Sequence, residues 1–214
     1  MTIEKGREWG NAANVPHDML VAADEASLAQ AVATHLRSGS TRPLTVSLTQ
    51  GDLLTALGVA PGERVAPAGV GGACRLLPCD AYATTIEHTR GTTTTLAVSS
   101  IVVGNARWPA WWFTSGGFLG RLNVLPNSHP NDGRADAVVW SPATLREVIS
   151  IRRRMRLGDH LPHPRLAVAR GGALQWQSTG APRRVTVDGR SHGCARAVAV
   201  KVLPDAFCLV VSEP

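Results

Sequence analysis

A turn in the second half of the chain combines residue types that bind hard cations. Residues 130–138 are Pro-Asn-Asp-Gly-Arg-Ala-Asp-Ala-Val, in which Pro, Asn, Asp and Gly form a tight turn that leads directly into a strand. The Asp132 carboxylate is placed over the carbonyls of this turn, and such a group of oxygens suits Mg²⁺ or Ca²⁺. The residues alone favour an Asx turn without a metal, so both interpretations stay open.

Other metal-binding or nucleotide-binding residue types lack the spacing that such sites need. His160 and His163 lie on a proline-containing loop, which is a poor zinc site. Cys74 and Cys79 have no Cys or His partners at zinc spacing. The glycines of residues 69–72 lack the strand and capped helix of a dinucleotide fingerprint, and the chain has no Walker motif with its lysine.

Positive charge is concentrated in the second half of the chain. Residues 1–107 carry 8 cations and 9 acids, whereas residues 108–214 carry 14 cations and 7 acids. This half is expected to attract phosphate or acidic lipid headgroups, with a solvated arginine-rich surface as the alternative. The aromatic cluster of residues 108–113 is not interleaved with cations, so nucleic acid is not predicted as a partner. This cluster forms either core or an apolar patch.

The sequence predicts a cytoplasmic protein. No apolar run approaches the roughly 18–20 residues that span a bilayer, and the first 30 residues lack a targeting pattern. The four cysteines form no CxxC pair and are expected to be reduced thiols. A peripheral contact with membranes stays open.

The first part of the chain has the pattern of an α/β segment. Strands are predicted at Met19–Ala23 and Leu44–Leu48, with a helix between them that Asp24 caps. A short helix is predicted at Gly51–Leu57. The Gly- and Pro-rich residues 58–72 mark the boundary of this segment.

The second part of the chain has the pattern of a β-sandwich or barrel with one helix. The helix is predicted to begin with Ser141 as N-cap and Pro142 at the first helical position, and to end before Gly158. Its last turns hold four arginines between residues 152 and 156, which either complement the helix dipole or form a surface for anionic membranes or phosphate. Seven stretches are predicted strands: Leu96–Val103, Ala137–Trp140, Leu166–Ala169, Leu174–Gln177, Arg184–Val187, Ala197–Val202 and Phe207–Val211.

The order of three motifs resembles the C-terminal half of the diacylglycerol kinase-like bacterial lipid kinases, which are relatives of sphingosine and NAD kinases. Residues 131–136 are similar to the family's Asn/Asp-Asp-Gly-x-x-Asp turn, residues 158–164 to its Gly-x-His-x-x-His-Pro loop, and residues 187–190 to its Val-Asp-Gly-Glu strand end. Upstream, residues 49–54 are similar to the family's Gly-Thr-Gly-Asn-Asp-Phe, and residues 23–28 fall where it has Gly-Gly-Asp-Gly-Thr-Leu.

The resemblance implies that Asp188 is the general base that acts on a lipid hydroxyl. The family's neighbouring Glu is replaced by Arg190, and this cation is expected to lower the pKa of Asp188 and weaken the base. Arg190 and His192 are candidate electrophilic aids for an altered chemistry. Arg183 and Arg184 are candidate partners for an anionic ligand.

The resemblance also implies a structural Mg²⁺ site at the turn described above. Its ligands would be the Asp132 carboxylate and the backbone carbonyls of His129 and Arg134. Carbonyl ligands do not depend on the side chain, so this site is expected to tolerate sequence change.

The phosphate-binding loop departs most from the family pattern. Ala23, Glu25 and Ala26 replace glycines whose N–H groups approach ATP in the family. At an effective dielectric of about 20, a carboxylate ~4–5 Å from a phosphate charge repels it by a few kcal/mol. Phosphoryl transfer depends on positioning and charge neutralisation, so the isolated chain is not expected to use ATP efficiently. Asp52, nearby in sequence, is a further candidate for substrate or anion binding.

Together these patterns predict an α+β protein with a mainly antiparallel β-sandwich. Residues 1–60 are predicted to be a truncated remnant of the nucleotide-binding domain, and residues 61–214 a lipid kinase-like β-sandwich domain. The predicted function is that of a pseudokinase that binds a lipid or a small phosphorylated molecule. Two alternatives stay open: an enzyme with altered chemistry that uses Asp188 as base, and a kinase completed by a partner chain.

A homodimer is predicted because missing strands would leave an open edge of the sheet, which self-association can cover. Gel filtration is expected to give the mass of a dimer, and a monomer would count against this prediction.

Overall fold

A computed structural model describes residues 9–66, 69–142 and 144–212. Its helices are α1 (Glu25–Arg37), α2 (Asp52–Ala56) and α3 (Leu145–Met155). Its strands are β1 (Asn11–Asn14), β2 (Leu20–Ala22), β3 (Leu44–Leu48), β4 (Ala73–His88), β5 (Gly91–Ala97), β6 (Ser100–Gly104), β7 (Pro109–Thr114), β8 (Phe118–Leu119), β9 (Leu122–Asn123), β10 (Ala135–Trp140), β11 (Leu166–Gly171), β12 (Ala173–Gln177), β13 (Arg183–Val187), β14 (Arg190–Ala195) and β15 (Ala197–Ser212).

The predicted fold class is confirmed, because most strands pair antiparallel in two sheets that pack face to face. One sheet has the order β11-β10-β7-β6-β13-β14. The other is built on β4 and β15, which pair with each other and take β5 and β12 as outer neighbours. The core between the sheets includes Tyr82, Trp111 and Phe113, all at most 1% exposed. Burial of these large apolar side chains stabilises the sandwich.

The strands β4 and β15 also connect the sandwich to the α/β segment. Their pairing shifts between Leu203 and Phe207, and beyond this shift β15 pairs in parallel with β3, and β3 in parallel with β2. A domain boundary at residue 60 stays a prediction. The sheet that contains β2 and β3 also includes β4, β5, β12 and β15, which all come from beyond residue 60.

Helix α1 follows the predicted position and lies against this sheet. Asp24 is its N-cap and forms a capping box with Ser27, in which each side chain accepts a hydrogen bond from the other residue's backbone N–H. Leu28 and Val32 are fully buried against the sheet. The cap therefore determines where α1 begins and places Glu25 at its first position.

Helix α3 begins later than predicted. Thr144, rather than Ser141, is the N-cap, because the Thr144 hydroxyl accepts the N–H of Glu147 while the Glu147 carboxylate accepts the N–H of Thr144. The backbone N–H of Ser141 instead donates to the carbonyl of Arg165 and extends the end of the sheet. The helix covers the outer face of the six-stranded sheet with Val148, Ile151 and Met155.

Three of the predicted strands also differ from the structure. The stretch Leu96–Val103 is interrupted at residues 98 and 99, where the chain turns between β5 and β6. The stretches Ala197–Val202 and Phe207–Val211 form one strand with a bulge. The strands without a counterpart in the sequence prediction include β1, β4 and β14.

The strand β2 lies at one edge of its sheet. Within residues 9–66, 69–142 and 144–212, no strand pairs with its outer side, and the side chains of Leu20 and Val21 are 46% and 55% exposed. Such an edge is able to pair with another chain, but the homodimer stays a prediction.

None of the helices in the described part of the chain is long and apolar enough to cross a membrane.

Candidate functional site

Asp188 lies in the two-residue turn of the hairpin formed by β13 and β14. Val187 pairs with Arg190 across this turn. The φ angles of Asp188 and Gly189 are +45° and +78°, and a type I′ hairpin turn requires positive values at both positions. Asp tolerates this region better than most residues, and Gly adopts it without steric cost. Asp-Gly is therefore primarily a hairpin-turn sequence, and this turn was not predicted.

The turn directs the Asp188 carboxylate into the bend between β5 and β6. Its Oδ1 accepts the backbone N–H groups of Ser99 (3.0 Å) and Ser100 (2.8 Å), and its Oδ2 accepts that of Val98 (2.9 Å). The N–H of Asp188 in turn donates to the Ser100 carbonyl at 2.9 Å. These bonds explain the interruption of the predicted strand Leu96–Val103, since the amides there bond to a side chain rather than to a neighbouring strand.

Burial dominates the electrostatics of Asp188, which is 8% exposed. Loss of solvation raises the pKa of its carboxyl to about 7, while the three backbone N–H groups act in the opposite direction and the charge of Asp52 adds to the rise. The pKa of Asp188 is thus raised, whereas a net lowering was expected from Arg190, because desolvation dominates and Arg190 is exposed.

Glu25 brings a second carboxylate to the site from the start of α1. Its Oε1 accepts the N–H of Leu53 at 3.1 Å, in the first turn of α2. A Cβ atom at Gly51 would lie 2.2 Å from this oxygen, so the carboxylate fills the space that the glycine leaves open. Burial, then the charge of Asp52, raises the pKa of Glu25 to about 7.

These carboxylates line a cavity of about 340 Å³ in which acidic groups outnumber cations. Asp52 lies beside Glu25, accepts the N–H of Gly120 at 2.9 Å, and has a pKa raised by burial. Asp24 also lines the cavity, and its pKa is lowered mainly by its bonds to Ser27. The full lining is Asp24, Glu25, Ala26, Asp52, Ser100, Leu119, Asp188, Gly189 and Arg190. A polyphosphate would therefore meet four carboxyl groups and one arginine here.

A larger groove of about 560 Å³ continues from Asp188 along α1. One wall is the alanine-rich face of α1 and the other is β5. Arg190 and His192 lie with Asp188 where the groove meets the β13–β14 hairpin, and burial lowers the pKa of His192. The lining comprises Ala26, Ala29, Gln30, Ala33, Leu36, Arg37, Ala83, Thr94, Thr95, Leu96, Val187, Asp188, Arg190 and His192.

The structure thus brings together Asp52, Asp188, Arg190 and His192 but not the other two candidate anion partners. Arg183 and Arg184 are exposed at the opposite end of β13. At about 3.3 Å per residue, Arg184 begins roughly 13 Å from Asp188.

The turn around Asp132 has the geometry of an Asx turn. Asp132 Oδ1 accepts the N–H of Arg134 at 3.0 Å, and the Arg134 carbonyl accepts the hydroxyl of Tyr82 at 3.4 Å. The backbone N–H of Asn131 donates to the ring of His129. Asp132, Asn131 and His129 therefore already bond within the turn.

Two features of this turn fit a cation. The side-chain oxygen of Asn131, a residue 1% exposed, is buried without a hydrogen-bond partner in the described part of the chain. Burial, then the charge of Asp136, raises the pKa of Asp132, so a nearby positive charge would be favourable. The Mg²⁺ ligands Asp132, His129 and Arg134 stay a prediction.

The histidines of the 158–164 loop serve the packing of that loop. His160 is fully buried and bonds the Val124 carbonyl at 2.9 Å, while His163 accepts the N–H of Arg165. Among the described residues, no three His, Cys, Asp or Glu side chains are grouped to hold a metal ion.

Comparison with known proteins extends the similarity over most of the chain. Residues 81–211, more than half of the chain, match the family model described as the YegS C-terminal NAD kinase beta sandwich-like domain. Among curated proteins, none matches the chain.

Solved structures share the fold at low sequence identity. A diacylglycerol kinase from Bacillus anthracis str. Sterne is 12% identical with a TM-score of 0.58, and the alignment covers 92% of this chain and 77% of that one. A provisionally assigned diacylglycerol kinase from the same organism is 11% identical with a TM-score of 0.59, covering 92% and 78%. At such identity the likeness establishes the fold alone.

Replacement of Asp188 by Asn is expected to destabilise the protein. Asn retains the positive φ, but its amide nitrogen cannot accept a hydrogen bond, so at least one buried backbone N–H loses its partner. Near pH 4 the raised pKa of about 7 keeps Asp188 neutral in the folded protein, so only the lost acceptor counts. Under these conditions the free energy of unfolding in urea should fall by roughly 1–3 kcal/mol. The matched variant Asp18→Asn changes an exposed carboxylate and should leave stability unchanged. Equal stability of both variants would contradict the role given to Asp188.

Replacement of Glu25 by Gln is expected to change how stability depends on pH. The folded protein keeps a proton on Glu25 up to about pH 7, whereas the unfolded chain releases it near pH 4, so this group's stabilisation is lost as pH rises. Relative to the parent, Glu25→Gln should gain roughly 1–3 kcal/mol in unfolding free energy between about pH 5 and about pH 8. Glu63→Gln, at an exposed site, is the control. Parallel profiles of Glu25→Gln and parent protein would contradict the raised pKa.

Proposed function

The chain belongs to the family of YegS C-terminal, NAD kinase-like β-sandwich domains, and from this premise we propose that it binds an amphiphilic lipid without efficient phosphoryl transfer from ATP. The apolar part of the ligand occupies the groove along α1, and its polar or phosphorylated head lies beside Arg190 and His192 at the hairpin end of the groove. The observation that carries this proposal is the position of Glu25, whose carboxylate occupies the space over Gly51 beside the acidic cavity.

The acidic cavity argues against a nucleotide triphosphate. Burial raises the pKa of both Glu25 and Asp52, the charge of Asp52 raises that of Glu25 further, and additional negative charge would cost still more. The backbone amide of Leu53, which could otherwise approach a phosphate, already donates to Glu25. Since phosphoryl transfer depends on neutralising phosphate charge, these contacts support a pseudokinase.

The groove supports an acyl chain or similar apolar group as the bound part of the ligand. Ala29 and Ala33 form its wall on α1, and small side chains there leave room for a chain rather than filling the space. Arg190 and His192 at the hairpin end can donate hydrogen bonds to a phosphate or hydroxyl. This combination suits a single-chain lipid with an anionic head.

An enzyme that uses Asp188 as base is the second candidate. Its support is the pKa of about 7, which suits a general base near neutral pH. The hydrogen bonds weigh against it, because backbone N–H groups occupy three of roughly four acceptor positions on the carboxylate. We therefore favour a structural role for Asp188 within a binding site.

Lysophosphatidic acid, used below its micelle-forming concentration, is the probe for the proposed ligand. At about 100 times its Kd it should stabilise the protein by about 2.7 kcal/mol in thermal unfolding, whereas ATP with Mg²⁺ should have little effect. Ala33→Phe fills the groove and should weaken binding at least tenfold by calorimetry. Ala60→Phe, at an exposed loop position, is the control.

Strong stabilisation by ATP with Mg²⁺ would overturn the loss of nucleotide binding. Equal affinity of Ala33→Phe and Ala60→Phe for lysophosphatidic acid would overturn the assignment of the groove.

A further inference from the structure

The outward face of α3 exposes large apolar side chains. The helix buries Val148, Ile151 and Met155, and side chains four residues apart share a face. Leu145, Ile149 and Arg153 therefore form one row, which Leu157 continues just beyond the helix. We call Leu145, Ile149, Arg153 and Leu157 the α3 ridge. Its three apolar members are 40%, 45% and 81% exposed, respectively.

Arg152 connects α3 to the hairpin that carries Trp108. Arg152, three residues after Ile149, donates from Nη1 to the Ala106 carbonyl at 3.3 Å and so holds the β6–β7 hairpin beside the helix. Trp108 in this hairpin is 46% exposed, unlike the core residues Trp111 and Trp112. The aromatic cluster thus divides into core and surface, which the sequence left as alternatives.

Several arginines on the same surface lack acidic partners. Arg154 pairs with Asp159. No carboxylate among residues 9–66, 69–142 and 144–212 forms a salt bridge with Arg146, Arg153 or Arg156, and all three are exposed. Complementation of the helix dipole accounts for cations in the last turn, but not for Arg146 in the first turn or for the apolar side chains between them.

We propose that the α3 ridge, with Trp108, is a peripheral docking surface for anionic lipid bilayers. Leucine, isoleucine and tryptophan side chains enter the boundary between headgroups and acyl chains, while Arg146, Arg153 and Arg156 contact lipid phosphates. Nucleic acid offers phosphates but no apolar layer, so it leaves Leu145, Ile149 and Leu157 without a partner. The charge of the surface favours acidic over zwitterionic lipid.

This inference does not rest on the proposed ligand of the groove. The α3 ridge is on the outer face of the six-stranded sheet, whereas the groove lies between α1 and β5. Variants of the ridge leave every groove residue unchanged, so failure of one proposal is distinguishable from failure of the other.

Vesicle flotation with the full chain tests the proposal. Vesicles of phosphatidylcholine and phosphatidylglycerol should bind the protein, pure phosphatidylcholine vesicles should bind it weakly, and added salt should release it. Arg153→Gln with Arg156→Gln should lower the partition coefficient by roughly tenfold or more. The matched double variant Arg42→Gln with Arg90→Gln removes the same charge from exposed sites elsewhere and should bind like the parent.

An apolar variant separates a bilayer from other polyanions. Ile149→Ser with Leu157→Ser changes only exposed side chains and should also lower vesicle binding, with circular dichroism reporting that the helix is retained. Absence of vesicle binding by the parent, or equal binding by the two double arginine variants, would overturn the proposal. Unchanged binding of the serine variant, with equal binding to heparin and vesicles, would identify a general polyanion surface instead and would also overturn it.

Discussion

The Asp188 carboxylate holds together the parts of the molecule that form the cleft. It sits in a hairpin turn of one sheet and accepts three backbone N–H groups from the bend between β5 and β6, which belong to different sheets. Those amides have no strand partner at this bend, and a buried amide without an acceptor is costly. The Asp188 carboxylate thus supplies hydrogen-bond acceptors to the segment that connects the two sheets of the sandwich. The same side chain lines both cavities.

The cost of that arrangement is electrostatic. Asp188, Glu25 and Asp52 are brought together with limited solvent, and each has a raised pKa. Glu25 accepts the N–H of Leu53, and its carboxylate fits into the space that the missing side chain of Gly51 leaves open. This chain therefore has a cavity rich in carboxyl groups on one side of Asp188 and an apolar groove on the other.

Local patterns predicted some elements well and failed where distant contacts intervened. The bounds of β3 were correct at both ends, and Asp24 was the N-cap of α1, because apolar runs and caps act within a few residues. Ser141 and Pro142 looked like a helix start, but the Ser141 amide pairs with Arg165, and Thr144 with Glu147 caps the helix instead. The turn before β14 was missed although Asp-Gly is a strong local indication of a hairpin.

The sequence alone determined the family and the β-sandwich class, because motif order and residue type are visible without coordinates. Only the tertiary structure decided that the pKa of Asp188 is raised rather than lowered, that Arg183 and Arg184 lie away from it, and that Trp108 is exposed while Trp111 is core. These outcomes depend on burial and on which distant segments meet. Burial and contacts between distant segments are not properties of neighbouring residues, so no local sequence pattern reveals them.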